Sequence, residues 1–211
     1  MIHHDYDQGS EQWLAVRKGV ITGSRFRDAR DKLKNGQPSK ACMAYAYDLA
    51  RERCGGKAPD KLQNAAMRMG TEQEPVARSA YERKTGALVE PVGFFTTEDG
   101  CFGLSPDGLV DDDGVLEIKT MVSSDTLFTA VAQGDLSSYM DQCLGYLWLL
   151  GRQWVDLVLW VPDLDHMVIH RITRDENAIE KLEADMLAFA AVVAANEKAL
   201  RAVLSNEAQP A

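Results

Sequence analysis

Residues 101–120 read CFGLSPDGLVDDDGVLEIKT, and the fold turns on how this stretch pairs with itself. Residues 104–110 and 115–119 are rich in β-branched and apolar side chains and flank an acidic turn, the pattern of a β-hairpin. Strand side chains alternate with period two, so Glu117 and Lys119 share one face while Leu116 and Ile118 share the other. The apolar face is expected in a core, with a carboxylate and an amine projecting together from the opposite side. Asp107 joins them only if the register has the right parity. A two- or four-residue loop sets Asp107 opposite Ile118, on the wrong face. A three-residue loop at 111–113, with Gly114 as a bulge glycine, pairs Asp107 with Glu117.

Two carboxylates converging beside a lysine make an oxygen-donor site for a hard divalent ion, Mg2+ or Mn2+. The lysine is close enough to orient a water or to steady developing negative charge. The pattern, Pro106-Asp107…Glu117-Ile118-Lys119, resembles the active site of the PD-(D/E)xK nuclease superfamily. Read alone, the same strings also fit two ordinary acidic turns and a Glu–Lys surface pair, so the surrounding sequence has to decide.

The 211 residues carry a net charge of −9, which at first argues against a nucleic-acid partner. The distribution says more. Residues 1–90 hold 16 Lys and Arg against 12 Asp and Glu, residues 91–211 hold 7 against 20, and residues 17–68 hold 13 against 5. Such asymmetry suits one phosphate-facing surface on an otherwise acidic protein; a solvated pair of basic helices is the alternative. No apolar run is long enough for a membrane span, and the polar first residues lack a signal-peptide core. Cys42, Cys54, Cys101 and Cys143 are scattered without a C-x-x-C pair. A zinc or iron–sulfur site is therefore not expected, and reduced thiols in a cytoplasm are.

Taken in order, Ser10 caps a short helix over 11–18, and a second helix starting at 22–24 carries Arg25, Arg27, Arg30, Lys32 and Lys34. Arg17, Thr22 and Ser24 thereby lie near a helix start that suits a phosphate. Ser39 caps a helix to Cys54. A helical stretch over 64–85 is expected to kink or break at Gly70 and Pro75. Glu72 and Glu74 sit at that break, the first as a dipole partner and the second as a candidate metal or water ligand. Strands are expected over 88–95, 101–104, 154–161 and 167–172, with helices over 125–133 and to Leu150. Thr173 with Glu176 reads as a capping box for a last helix to about Leu204. His3 and His4 fall in a mobile terminus, and His166 and His170 in a strand; none makes a site. The fold class is α/β: a central mixed sheet carrying the hairpin, flanked by helices, in a single domain. Residues 1–85 form a mostly helical basic wall, 86–173 the sheet core and 174–211 the C-terminal helix.

The ordered set Trp13, Arg17, Ile21, Thr22, Ser24, then Gly70 and Glu74, then the Ser105-Pro106-Asp107-Gly108 run, Glu117 and Lys119, and Tyr139 with Gln142 is similar to the family of bacteriophage lambda exonuclease and YqaJ-type viral recombinases. The similarity spans residues 9–150. It departs from the lambda enzyme after Lys119, where Thr120-Met121 replaces Cys-Pro, and at Asp125, where that enzyme has an arginine involved in 5′-phosphate dependence. The resemblance implies a restriction-endonuclease-like PD-(D/E)xK core. It also implies a Mg2+-dependent exonuclease, with Mn2+ as a substitute, that degrades one strand of duplex DNA from its 5′ end. Carried over by motif, Asp107, Glu117 and the Ile118 carbonyl bind metal, Lys119 positions the water, and Glu74 assists a second metal or the nucleophile. Arg17, Ser24 and Ser105 hold the phosphate with Gln142 nearby, and Lys34 and Met67 touch the DNA. A ring-shaped homotrimer and a single-strand annealing protein are the implied partners. Two rival functions use the same core: a structure-specific endonuclease, and a non-catalytic DNA-binding or assembly module.

Overall fold

Hydrophobic alternation and turn chemistry resolve into two sheets. Among the residues that the computed structural model describes, 1–57 and 65–206, the elements run in this order. First come β1 (Ile2–His4), α1 (Glu11–Arg17), β2 (Ile21–Thr22), a 3-10 turn (Gly23–Arg25), α2 (Phe26–Ala29), α3 (Lys40–Arg53) and α4 (Ala65–Thr85). Then follow β3 (Val89–Glu90), β4 (Phe94–Thr96), β5 (Phe102–Leu104), β6 (Gly108–Val110) and β7 (Gly114–Thr120). Last are α5 (Ser124–Leu127) with a π turn (Phe128–Ala132), α6 (Ser137–Leu150), β8 (Trp154–Val161), β9 (His166–Thr173) and α7 (Glu176–Asn206).

Packing divides the chain into two units, Met1–Asp60 with Phe94–Leu104 and Glu180–Ala211, and Lys61–Gly93 with Ser105–Ile179. The first holds a four-stranded mixed sheet in the order β1-β4-β5-β2. Its core is aromatic: Phe26 meets Phe102 edge-on at 6.3 Å, and Tyr45 of α3 stacks on Phe189 of α7 at 5.4 Å. The second holds a five-stranded sheet in the order β3-β6-β7-β8-β9. One face buries Leu116, Ile118, Val158 and Trp160 against Ala77 and Tyr81 of α4. At ~25 cal/mol per Å² of apolar surface, each fully buried Leu, Ile or Val in this layer contributes ~2 kcal/mol.

The hairpin has the three-residue loop. Gly108 pairs with Leu116 and Val110 with Gly114, and extending that register by one residue puts Asp107 opposite Glu117. Gly114, however, is no bulge glycine. The left-handed residue of the turn is Asp111 at φ 47°. Gly114 is small because the Trp154 indole lies against it, where an added Cβ would meet ring atoms at 2.2 Å.

Several elements differ from their sequence reading. The strand expected over 104–110 is two strands in different sheets, split at Ser105-Pro106-Asp107; that over 88–95 splits at Pro91 in the same way. In both places proline has no N–H for a ladder. The helix expected to carry Arg25 to Lys34 stops at Ala29, and Lys32 instead bridges Pro38 across a turn with Gly36 at φ 82°. α4 runs unbroken through Pro75. A proline forgoes one helical N–H, and packing of Ala77 and Tyr81 on the sheet outweighs that loss. α7 is capped by Asp175, whose carboxylate accepts the Ala178 N–H at 3.1 Å. Thr173 is claimed by the ladder, opposite Trp154. His3 and His4 are not in a loose terminus but in β1, where His3 stacks on Phe95 at 4.5 Å and His4 bonds Thr96 at 2.9 Å. The Ser10 and Ser39 caps form as read, accepting from Trp13 and Cys42. Among the described residues no helix is long and apolar enough to cross a membrane.

Candidate active site

β7 lies between α4 and α6, and its two faces carry opposite chemistry. Leu116 and Ile118 face α4. By alternation Glu117 and Lys119 face the other way, where Gln142 and Tyr146 project from α6. Both faces are covered, so Glu117 is buried rather than displayed, with 2 % of its surface exposed. A buried carboxylate has to be satisfied, and this one is. Oε1 accepts from Lys119 Nζ at 2.5 Å and from Gln142 Nε2 at 2.8 Å. Oε2 accepts from the Tyr146 hydroxyl at 2.5 Å. Gln142 closes the ring, its Oε1 accepting from Lys119 at 3.1 Å and its Nε2 donating to Tyr146 at 2.7 Å.

Asp107 sits across the hairpin from this ring, and its Oδ2 accepts the Ile118 backbone N–H at 2.6 Å. Asp107 itself stays paired to β7, its backbone N–H donating to the Leu116 carbonyl at 3.1 Å, while its side chain turns onto the same strand. Glu74, on α4, is tied to Arg78 one helical turn away. The three acids act on each other. Burial first, then the charges of Glu117 and Glu74, push the Asp107 carboxyl well above the usual carboxylate range, against the pull of Lys119 and the Ile118 N–H. Glu74 is raised by burial and by Glu117, with Arg78 opposing. Burial would lower the Lys119 pKa, but the charges of Glu117 and Asp107 outweigh it and raise the value, so the ammonium is held charged.

Asp107 and Glu74, whose ionisation is opposed by burial and by the neighbouring Glu117 charge, form with Glu117 a donor set that a hard divalent ion relieves. The chemistry of the site therefore fits a divalent metal ion, which Asp107, Glu117 and the Ile118 carbonyl could hold. Among the described residues no three acidic, histidine or cysteine side chains are already arranged around a point that could hold an ion. Glu117 is turned onto Lys119, Gln142 and Tyr146, and Glu74 onto Arg78, so binding requires some of these partners to give way.

The remaining sequence candidates fall elsewhere. Arg17 ends α1 with its guanidinium over the Trp13 ring at 4.0 Å and the Phe94 ring at 4.9 Å. Ser24 is exposed in the 3-10 turn, and Lys34 is exposed in the turn after α2. These three belong to the first unit, whereas Ser105 belongs to the second, with its carbonyl 3.3 Å from the Tyr146 hydroxyl. Met67 lies in α4, but its side chain is outside the described part. Much of the basic segment is paired: Arg30 and Lys32 both bind Asp185, at 2.7 and 2.6 Å, and Arg25 binds Asp28 at 2.6 Å.

The model of the YqaJ-like viral recombinase domain matches residues 12–153. The chain belongs to that family. An alkaline exonuclease, LHK-Exo, from Laribacter hongkongensis is 33 % identical, with a TM-score of 0.82 over 94 % of this chain and 100 % of that one. The same enzyme in complex with dAMP is 34 % identical with a TM-score of 0.81, again over 94 % and 100 % of the two chains. A phage related exonuclease from Haemophilus somnus 129PT is 15 % identical with a TM-score of 0.70 over 87 % and 96 %, a likeness of fold. No curated protein matches in sequence. The fold is thus the mixed α/β fold of PD-(D/E)xK type. In this YqaJ-like domain the sequence reading missed Tyr146 and Arg78. Each lies four residues beyond a chosen residue, Gln142 and Glu74, and helical spacing was the available signal.

Proposed function

We propose that the chain is a metal-dependent DNA exonuclease. It hydrolyses one strand of linear duplex from the 5′ end, releases mononucleotides and leaves 3′ single-stranded overhangs for recombination by strand annealing. The observation that carries the reading is the grouping of Asp107, Glu117 and Lys119 around β7 in a YqaJ-like chain. The likeness to an alkaline exonuclease that takes dAMP, a mononucleotide, supports the product.

Asp107, Glu117 and the Ile118 carbonyl would hold Mg2+, for which Mn2+ would substitute. Bound there, the ion supplies positive charge to phosphoryl oxygens and acidifies water. Lys119, kept cationic by the two acids, orients the attacking water and offsets charge as the phosphodiester opens. Gln142 links Glu117 and Lys119 by a hydrogen bond to each. Glu74 serves as an extra ligand or accepts a proton from the nucleophile. Arg17, Ser24 and Ser105 grip the terminal phosphate, and Lys34 and Met67 contact DNA. The working form is a ring trimer in the cytoplasm, partnered by a single-strand annealing protein that loads on the exposed strand.

The test is incubation with linear and covalently closed circular duplex, with and without Mg2+. Loss of the linear substrate alone, only with Mg2+, supports the exonuclease. Nicking of the circle would assign an endonuclease on the same core, and binding without turnover a non-catalytic module. Linear duplex labelled at one or the other end reads the polarity.

A further inference from the structure

We propose that Tyr146 is a positioning residue for the metal-binding carboxylate: its hydroxyl pins Oε2 of Glu117, so that the remaining lone pair on that oxygen points one way, toward a divalent ion. The inference rests on the proposed metal role of Glu117 and deepens it. A carboxylate has about four lone-pair sites. Lys119 and Gln142 take two on Oε1, and Tyr146 takes one on Oε2.

Proton bookkeeping fixes the direction of these bonds. A phenol has a single hydrogen, and the Glu117 oxygen at 2.5 Å is closer than the Ser105 carbonyl at 3.3 Å. Gln142 donates to the same phenol oxygen, which leaves the Tyr146 hydrogen for Glu117. Tyr146 itself is 1 % exposed, so no water can replace it. Lys119 and Gln142 can swing toward solvent or substrate, since both are only partly buried. Tyr146 is the member of the ring that cannot move, and it therefore sets the carboxylate plane. Outer partners of this kind commonly govern metal affinity.

The same sheet supplies a control. On its other face Tyr81, equally buried, donates to the Asp156 carboxylate at 2.7 Å, a second phenol–carboxylate pair, outside the candidate site. Mn2+ binding to the metal-free protein is measured by electron paramagnetic resonance for the parent, Tyr146→Phe, Tyr81→Phe and Glu117→Gln. Mn2+ dependence of digestion is followed in parallel. Tyr146→Phe is expected to weaken Mn2+ binding about tenfold or more, with digestion largely recovered at raised Mn2+. Tyr81→Phe is expected to lose stability while its Mn2+ affinity stays within about twofold of the parent. Should the Phe variant unfold, 3-fluorotyrosine at 146 keeps the shape and changes only donor strength, and a shift in Mn2+ affinity there but not at 81 supports the proposal. Parent-like Mn2+ binding by Tyr146→Phe, with binding lost in Glu117→Gln, overturns the proposal and leaves the metal reading standing. Parent-like binding by Glu117→Gln overturns both.

Discussion

Asp156 is the strongest test of what holds α4 on the five-stranded sheet. Its carboxylate is 1 % exposed, accepts from Tyr81 at 2.7 Å, and takes a two-pronged contact from Arg171 at 2.8 and 2.7 Å. The Asp156→Ala change removes three hydrogen bonds, but they do not count equally. The Arg171 side chain is 53 % exposed and lies over Trp154, so it regains water and its share is discounted to about 1 kcal/mol. Tyr81 has no exposed surface, and its hydroxyl is left without an acceptor at a cost of about 2 kcal/mol. The expected loss is about 3 kcal/mol. Urea unfolding followed by the fluorescence of Trp154 and Trp160, both on β8, measures it. Tyr81→Phe in the same background removes the orphaned hydroxyl and should return about 1–2 kcal/mol, so the double-mutant cycle is non-additive. A loss under 1 kcal/mol, or strict additivity, refutes the argument that Tyr81–Asp156 anchors this helix.

Three further outcomes follow from named contacts. Gly114→Ala needs no unusual φ but drives a Cβ into the Trp154 ring, so it should destabilise by about 1–3 kcal/mol in urea unfolding. Burial opposes the ionisation of Asp185, but its hydrogen bonds to Lys32 and Arg30 and their charges win and hold its pKa below the usual value. Its stabilisation is therefore complete above the unfolded carboxylate pKa of about 3.9, and is lost as pH falls through the lower folded value. Asp185→Asn should flatten that acid limb of the urea midpoint against pH. Arg17→Ala should reduce the preference for a 5′-phosphorylated over a hydroxyl end in digestion assays; an equal slowdown on both would make Arg17 a structural residue or general phosphate clamp.

How much of this was legible in the sequence depends on the range of the interaction. The register that sets Asp107 against Glu117 could be read because parity alone discriminates the loops, and three acidic residues span the turn. The burial of Glu117 could not, because nothing local shows that α6 covers the second face of β7. Tyr146 was missed for the same reason. The four-stranded sheet was not legible as a sheet of its own: β5 lies within the strand read over 101–104, but β1 and β2 are only three and two residues long, too short for alternation to register. Arg30 and Lys32 read as DNA-facing charge, yet their partner Asp185 is some 150 residues away in the chain. Pro75 misled because local propensity argued for a break, while packing of Ala77 and Tyr81 on the sheet kept α4 whole.

The central claim is that Asp107, Glu117 and Lys119 do metal-assisted hydrolysis of DNA. Single-turnover digestion of an end-labelled linear duplex by Glu117→Gln and Lys119→Ala, with duplex binding measured alongside in Ca2+, tests it most directly. Loss of several kcal/mol of charge stabilisation predicts a fall of about 10³-fold or more in rate with binding largely retained. Cleavage by either variant within tenfold of the parent would contradict the account.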